Sequence, residues 1–225
     1  MNTPITYQGR KTHRSGSEQR RKAILDAALA IIIKDGIRAV RHRAVAREAD
    51  VPLSATTYYF KDIGELIADT FTLFAERSIT QYIQPFRDQA FELISGYDAQ
   101  ALKHPQRREM LIEELSDIVT TFILDEAKLR RGQLVAEQAF FQEAARDHRL
   151  RDLADAYQQQ HMNALVVACQ QFGSSNPELD AEFMLMTINA MEQRLLVHPE
   201  NANKAAIFKR FKYLLDKVIP ATHAS

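Results

Sequence analysis

The 225-residue chain has one cysteine, no tryptophan, seven glycines and seven prolines. A single thiol, Cys169, excludes an internal disulfide and any zinc site built on several thiolates, and it suits a reducing compartment. Sparse glycine and proline disfavour an all-β sandwich or barrel, which needs a turn signal every ~8–12 residues. Long apolar runs are missing too. The longest, Ala27 to Ile33, is far short of the ~18 residues of a membrane span. The polar, basic start (Asn2, Gln8, Arg10, Lys11) has no secretory pattern. These absences lead us to expect a soluble cytoplasmic protein with no membrane partner.

Net charge is also absent: 29 basic residues face 29 acidic ones. The balance conceals an asymmetry. Residues 1–61 carry 12 Lys/Arg against 5 Asp/Glu, a net of +7, and residues 62–225 carry 17 against 24, a net of −7. A basic module joined to an acidic body suits binding of a polyanion, because cationic side chains release counterions condensed on phosphates. A merely solvated basic face accounts for the charge equally well, so the pattern inside the module decides.

Residues 1–16, with Arg10, Lys11, His13 and Arg14, show no periodicity and read as a flexible basic arm. Ser17 can cap a helix whose Ile24, Ala27, Ala28, Ile31 and Ile32 share one face and which stops at Gly36. Arg43–Ala49 is a short second helix. Asp50-Val51-Pro52-Leu53 breaks it, and Ser54–Phe60 forms a third. Two short helices around a tight turn make a helix-turn-helix pattern, whose second helix enters the major groove. Small Ser54 and Ala55 let that helix sit deep, and the Thr57 and Tyr58 hydroxyls can reach phosphates or base edges. A fourth helix starts at Asp62, which has capping-box spacing to Glu65 and precedes an apolar stripe of Ile63, Leu66, Ile67, Thr70, Phe71 and Phe74.

The run from Arg43 through Tyr58-Tyr59-Phe60 to Leu66 resembles the DNA-binding signature of TetR-type transcriptional regulators, a likeness covering roughly residues 17–74. The resemblance implies a homodimer on a palindromic double-stranded DNA operator, released when a small-molecule effector enters the body. It puts base reading on Pro52, Leu53, Ser54, Ala55 and Thr56, the aromatic phosphate contacts on Thr57 and Tyr58, the entry to the second helix on Arg41, His42 and Arg43, and a further phosphate contact on Lys61. The chain departs from the family pattern in three places. Asp50 stands at the usual turn glycine, Arg41 at the usual Thr or Ser cap, and Ile63 at the usual basic residue of the fourth helix.

Beyond Pro85 the pattern is helical throughout, with apolar stripes in residues 105–125, 128–147, 150–172, 178–197 and about 203–218. The stretches Tyr157–Phe172 and Leu179–Val197 are apolar over more than one stripe. Excess apolar surface suggests a four-helix dimer contact through Tyr157, His161, Leu165, Phe183, Met184, Thr187, Met191 and Leu195; core on both faces is the rival reading. Phe71, Phe74, Phe122, Phe140, Phe141 and Met162 either line the ligand cavity that the resemblance implies or are plain core. No phosphate loop, nucleophile elbow or metal-binding His pair occurs, so no enzyme activity, metal or cofactor is expected. A helical enzyme or cofactor-binding bundle remains the alternative.

The expected fold is all-α: a flexible arm at 1–16, a three-helix helix-turn-helix DNA-binding domain at 17–61, a helical-bundle regulatory and dimerisation domain at 62–220, and a frayed tail at 221–225.

Overall fold

The computed structural model describes residues 5–10, 15–98 and 100–220; the arm's Lys11, His13 and Arg14 and the tail at 221–225 lie outside them. The fold is all-α, with no strand among the described residues. Its α-helices are α1 (Ser15–Asp35), α2 (His42–Glu48), α3 (Leu53–Tyr59), α4 (Ile63–Ser78), α5 (Gln84–Ser95), α6 (Pro105–Lys128), α7 (Arg131–Ala144), α8 (His148–Gln171), α9 (Pro177–Val197) and α10 (Lys204–Val218). A π-helical turn, Ile79–Ile83, carries α4 into α5.

Helix ends follow local chemistry. Gly36 stops α1 at φ +83°, with its N–H on the Ile32 carbonyl at 3.0 Å, a left-handed conformation that costs glycine little. Ser17 does not cap α1. The helix starts two residues earlier, and the Ser17 hydroxyl pairs with the Tyr59 hydroxyl at 2.9 Å. Asp62 caps α4 by accepting the Glu65 N–H at 2.8 Å, and Glu65 reaches back to the N–H of Lys61, one residue before the partner of a standard capping box. Asn203 caps α10 through the Ala206 N–H at 3.0 Å.

The chain divides into two compact units, and the division is not the one expected at residue 61. The first runs to Ile79 and adds Val135–Gln158; the second comprises Thr80–Leu134 and the chain from Gln159 onward. Aromatic packing explains the first grouping. Phe71 stacks on Phe140 at 4.7 Å and on Phe74 at 6.0 Å, and Tyr157 meets both α4 rings near 6 Å. Tyr157 also pairs its hydroxyl with that of Ser78 at 3.0 Å, so none of its polar capacity is left dry. Ile24, Leu25, Ala28 and Ile32 of α1 are buried in the same unit.

The second unit is organised on α6, which packs against α5, α9 and α10. Leu111, Ile112 and Leu115 enter one apolar cluster with Cys169, Met184 and Leu215. Val119, Ile123 and Ala127 enter another with Met191, Leu195, Ile207 and Phe211. The buried hydroxyls of Ser116 and Thr120 are satisfied within α6 by carbonyls four residues back, at 2.6 Å each. Arg108 closes the end of α10: it donates to the Asp216 and Ile219 carbonyls at 2.6 and 2.7 Å and to the Asp216 carboxylate at 3.0 Å, a cationic C-cap.

Candidate nucleic-acid interface

The turn between α2 and α3 is built as the sequence suggests. Asp50 takes φ +51°, the left-handed conformation that Asp and Asn reach at modest cost, and the Val51 N–H bonds the Ala46 carbonyl at 3.0 Å. Val45 and Ala46 bury the inner side of α2. Arg41 sits at the N-cap in extended conformation and caps nothing; its guanidinium instead donates to the Arg38 and Val40 carbonyls at 2.6 and 2.8 Å.

α3 has two sharply different faces. Thr56, Tyr59 and the following Phe60 point inward, on the i, i+3, i+4 spacing of one helix side. Pro52, Leu53, Ser54, Thr57 and Tyr58 are exposed, and Ala55 is half-buried. Tyr58, 53% exposed, stands edge-on to the buried Tyr59 ring at 5.0 Å. Leu53, 42% exposed, is the other large apolar side chain that α3 turns outward. Thr56 departs from the base-reading role expected of it: its exposure is 0%, and its hydroxyl donates to the Leu53 carbonyl at 2.8 Å. It is a packing residue that satisfies its own polar atom.

Arg41, Arg43 and Lys61 are exposed at the edges of this face, as cations that meet phosphate should be. His42 is half-buried, with Nδ1 buried and lacking a hydrogen-bond partner. Burial pulls its pKa below the usual imidazole value, against the opposing pull of Asp62. It is therefore neutral at pH 7 and adds no cation to the face.

At the start of α4, next to Ile63, a guanidinium arrives from a distant part of the chain. Arg149, from the first turn of α8, bonds Asp62 at 3.2 Å and Asp147 at 3.2 Å. A Cβ on Gly64 would fall 1.8 Å from the Arg149 Nη2; the guanidinium lies directly on the α4 backbone, and glycine makes room for it. Hydrogen bonding from Glu65 and the nearby Arg149 hold the Asp62 carboxyl below the usual carboxylate range. Sequence reading missed Arg149 because it stands 87 residues from Asp62 and no local pattern links them.

The other two groups of candidates do not assemble as expected. Phe71, Phe74, Phe140 and Phe141 join Tyr157 in the first unit's aromatic core. Phe122 and Met162 belong to the second unit, Phe122 beside Phe86 at 4.3 Å under the Arg130 guanidinium, and Met162 against a different apolar cluster. Of the dimer candidates, Tyr157, Met184, Met191 and Leu195 are buried within the chain. His161, Leu165 and Thr187 are half-buried and Phe183 is exposed. The outward stripe of α9 is instead Leu179, Phe183, Met186 and Val197, all exposed. Excess apolar surface was there to be read, but two competing stripes hid which one faces out.

Among the described residues no group of three or more His, Cys, Asp or Glu is placed to hold a metal ion, and no helix is long and apolar enough to cross a membrane.

No protein-family model matches the chain. A 102-residue stretch is 31% identical to the HTH-type transcriptional repressor KstR of Rhodococcus jostii (strain RHA1), covering 45% of this chain and 48% of that protein. The match thus spans about half the length of that curated relative. Solved structures align over far more of the chain. A TetR-family member from Streptomyces coelicolor A3 superposes with TM-score 0.60 at 19% identity, over 90% of this chain and 99% of that one. A protein described as a transcriptional regulator from Saccharomonospora viridis, solved with choline, gives 0.67 at 14% identity over 88% and 96%. The multidrug binding protein EbrR, complexed with proflavin, gives 0.56 at 20% identity over 87% and 99%. The chain has the TetR-family fold.

Proposed function

We propose that this chain is a cytoplasmic transcriptional repressor of the TetR type, binding a palindromic DNA operator as a homodimer and released by a small organic effector. The observation that carries this reading is the two-faced α3. Thr56, Tyr59 and Phe60 anchor it, while Leu53, Ser54, Thr57 and Tyr58 are presented outward beside the cations Arg41, Arg43 and Lys61. The repressor that the 102-residue stretch resembles favours the same reading. Repression is the expected sense, because occupying a promoter requires nothing beyond binding.

Two copies of α3 must reach half-sites about one helical turn, ~34 Å, apart. The exposed stripe of α9 (Leu179, Phe183, Met186 and Val197) supplies an apolar surface for the dimer that fixes this distance. An effector bound in the body acts by changing the separation of the two heads. α4 starts at the head and runs through the Ile79–Ile83 turn into α5, so it is the covalent route for that change. Coupling is reciprocal: operator DNA must weaken effector binding by the same factor. The solved neighbours hold choline and proflavin, which makes small organic molecules the first effectors to screen.

The test is selection of genomic fragments by the purified protein. Enriched fragments should share an inverted repeat with half-sites about one turn apart, and binding should weaken steeply with salt. Retention without sequence preference at any salt concentration contradicts the reading.

A further inference from the structure

The described residues ahead of α1 do not behave as the flexible arm expected from sequence. Gln8 and Gly9 donate their backbone N–H groups to the two oxygens of one carboxylate, Asp69 of α4, at 2.5 and 2.9 Å. Arg21 of α1 bonds the same carboxylate at 2.5 Å, and Asp69 is wholly buried. The Tyr7 hydroxyl donates to Glu76 at 2.5 Å. Gly9 is itself buried, and a Cβ there would stand 2.6 Å from the Asp69 oxygen and 3.1 Å from the Phe60 ring. The segment is a strap seated across the head by a position that admits no side chain.

The strap ends at the proposed reading face. The Arg10 N–H bonds the Tyr59 carbonyl at 3.1 Å, at the last turn of α3. Its guanidinium lies over the exposed Tyr58 ring, 4.3 Å from the centroid. Arg10 is exposed and makes no ion pair among the described residues. Stacking uses the face of a guanidinium and leaves its in-plane N–H donors available, the geometry that suits phosphate oxygens.

We propose that Arg10 is a further DNA-contacting residue, a phosphate clamp carried to the end of α3 by the Tyr7–Gly9 strap, with Gly9 and Asp69 as its positioning residues. The proposal rests on the DNA-binding reading above and adds a contact that the α2–α3 pattern does not contain. Because the strap is already fixed by Asp69, the ordering cost of an arm is met on folding and not on binding.

The experiment measures affinity across a salt series for two duplexes, a genomic fragment enriched by the wild-type protein and a random-sequence duplex. Arg10→Ala should weaken both about five- to tenfold and lower the slope of log affinity against log salt by about one. Gly9→Ala touches no DNA, yet it should cost about as much, and adding it to Arg10→Ala should cost nothing more. Unchanged affinity and slope in Arg10→Ala overturns the proposal, as does a loss confined to the enriched fragment. Gly9→Ala could act by destabilising the head, but Arg10→Ala alters an exposed side chain and decides the question alone. If the genomic selection yields no fragment, the repressor reading fails by itself, while the random duplex still tests Arg10.

Discussion

Asp69 is the residue on which the first unit turns. Its carboxylate lies 2.5 Å from the Arg21 guanidinium, with side-chain exposures of 0% and 6%, and two backbone N–H groups complete its shell. A buried pair is tolerated because each charge balances the other; a partner left alone is costly. Asp69→Asn should therefore destabilise the protein by ~1–3 kcal/mol in urea unfolding, because buried Arg21 would keep only the exposed Glu18 carboxylate, 3.6 Å away, as a counter-charge. A loss under ~1 kcal/mol would show that the pair is not what holds α1 to α4. His161 makes the complementary case. Burial holds its imidazole pKa at about 4, well below the ordinary 6.5. The unfolded chain takes up a proton between pH 6.5 and 4 that the folded chain refuses, so stability is full above pH 6.5 and falls as the pH drops through that window. His161→Gln should flatten the melting temperature from pH 7.5 to pH 4.5 relative to wild type; parallel curves would contradict the assignment.

At the scale of elements, the proposed assembly rests on α9. Its buried side gives Ala181, Met184, Met191 and Leu195 to the core, while Leu179, Phe183, Met186 and Val197 face out. Phe183→Glu should convert a dimer into a folded monomer by light scattering with unchanged helicity, since a charge at the centre of an apolar contact is expensive while the core residues are untouched. A dimer that survives the substitution moves the interface elsewhere. Most of the helices are legible in sequence because they carry an apolar stripe at helical spacing, and α2 and α3 fall within one residue of their expected bounds; α5 has no bounds among those expectations. Legibility stopped at questions of facing. Thr56 lies next to residues that face out, but the 56, 59, 60 spacing turns it inward. The stripe of α4 also contains Asp69 between Leu66 and Phe71, a buried place where only a paired carboxylate is tolerated. Its partners Gly9 and Arg21 are 60 and 48 residues away, and no local pattern names them. Gly64 likewise carries no local signal of Arg149, which rests on it.

For the whole molecule, the sequence predicts two modules of opposite charge, with +7 in residues 1–61 and −7 in the rest. The observed units cut across that boundary, because α4 and parts of α7 and α8 pack with the head. The structural consequence is that α4, the helix directly after the α2–α3 pair, shares a core with Phe140 and Tyr157, so the first unit does not end where the basic segment does. The function proposed for the chain nevertheless depends on a few exposed side chains at one end of α3. Affinity of the Thr57→Ala/Tyr58→Ala double variant for the enriched genomic fragment, set beside wild type in a salt series, tests it most directly. The account predicts a loss of about tenfold or more with an unchanged dimer and melting temperature; wild-type affinity in that variant would contradict it.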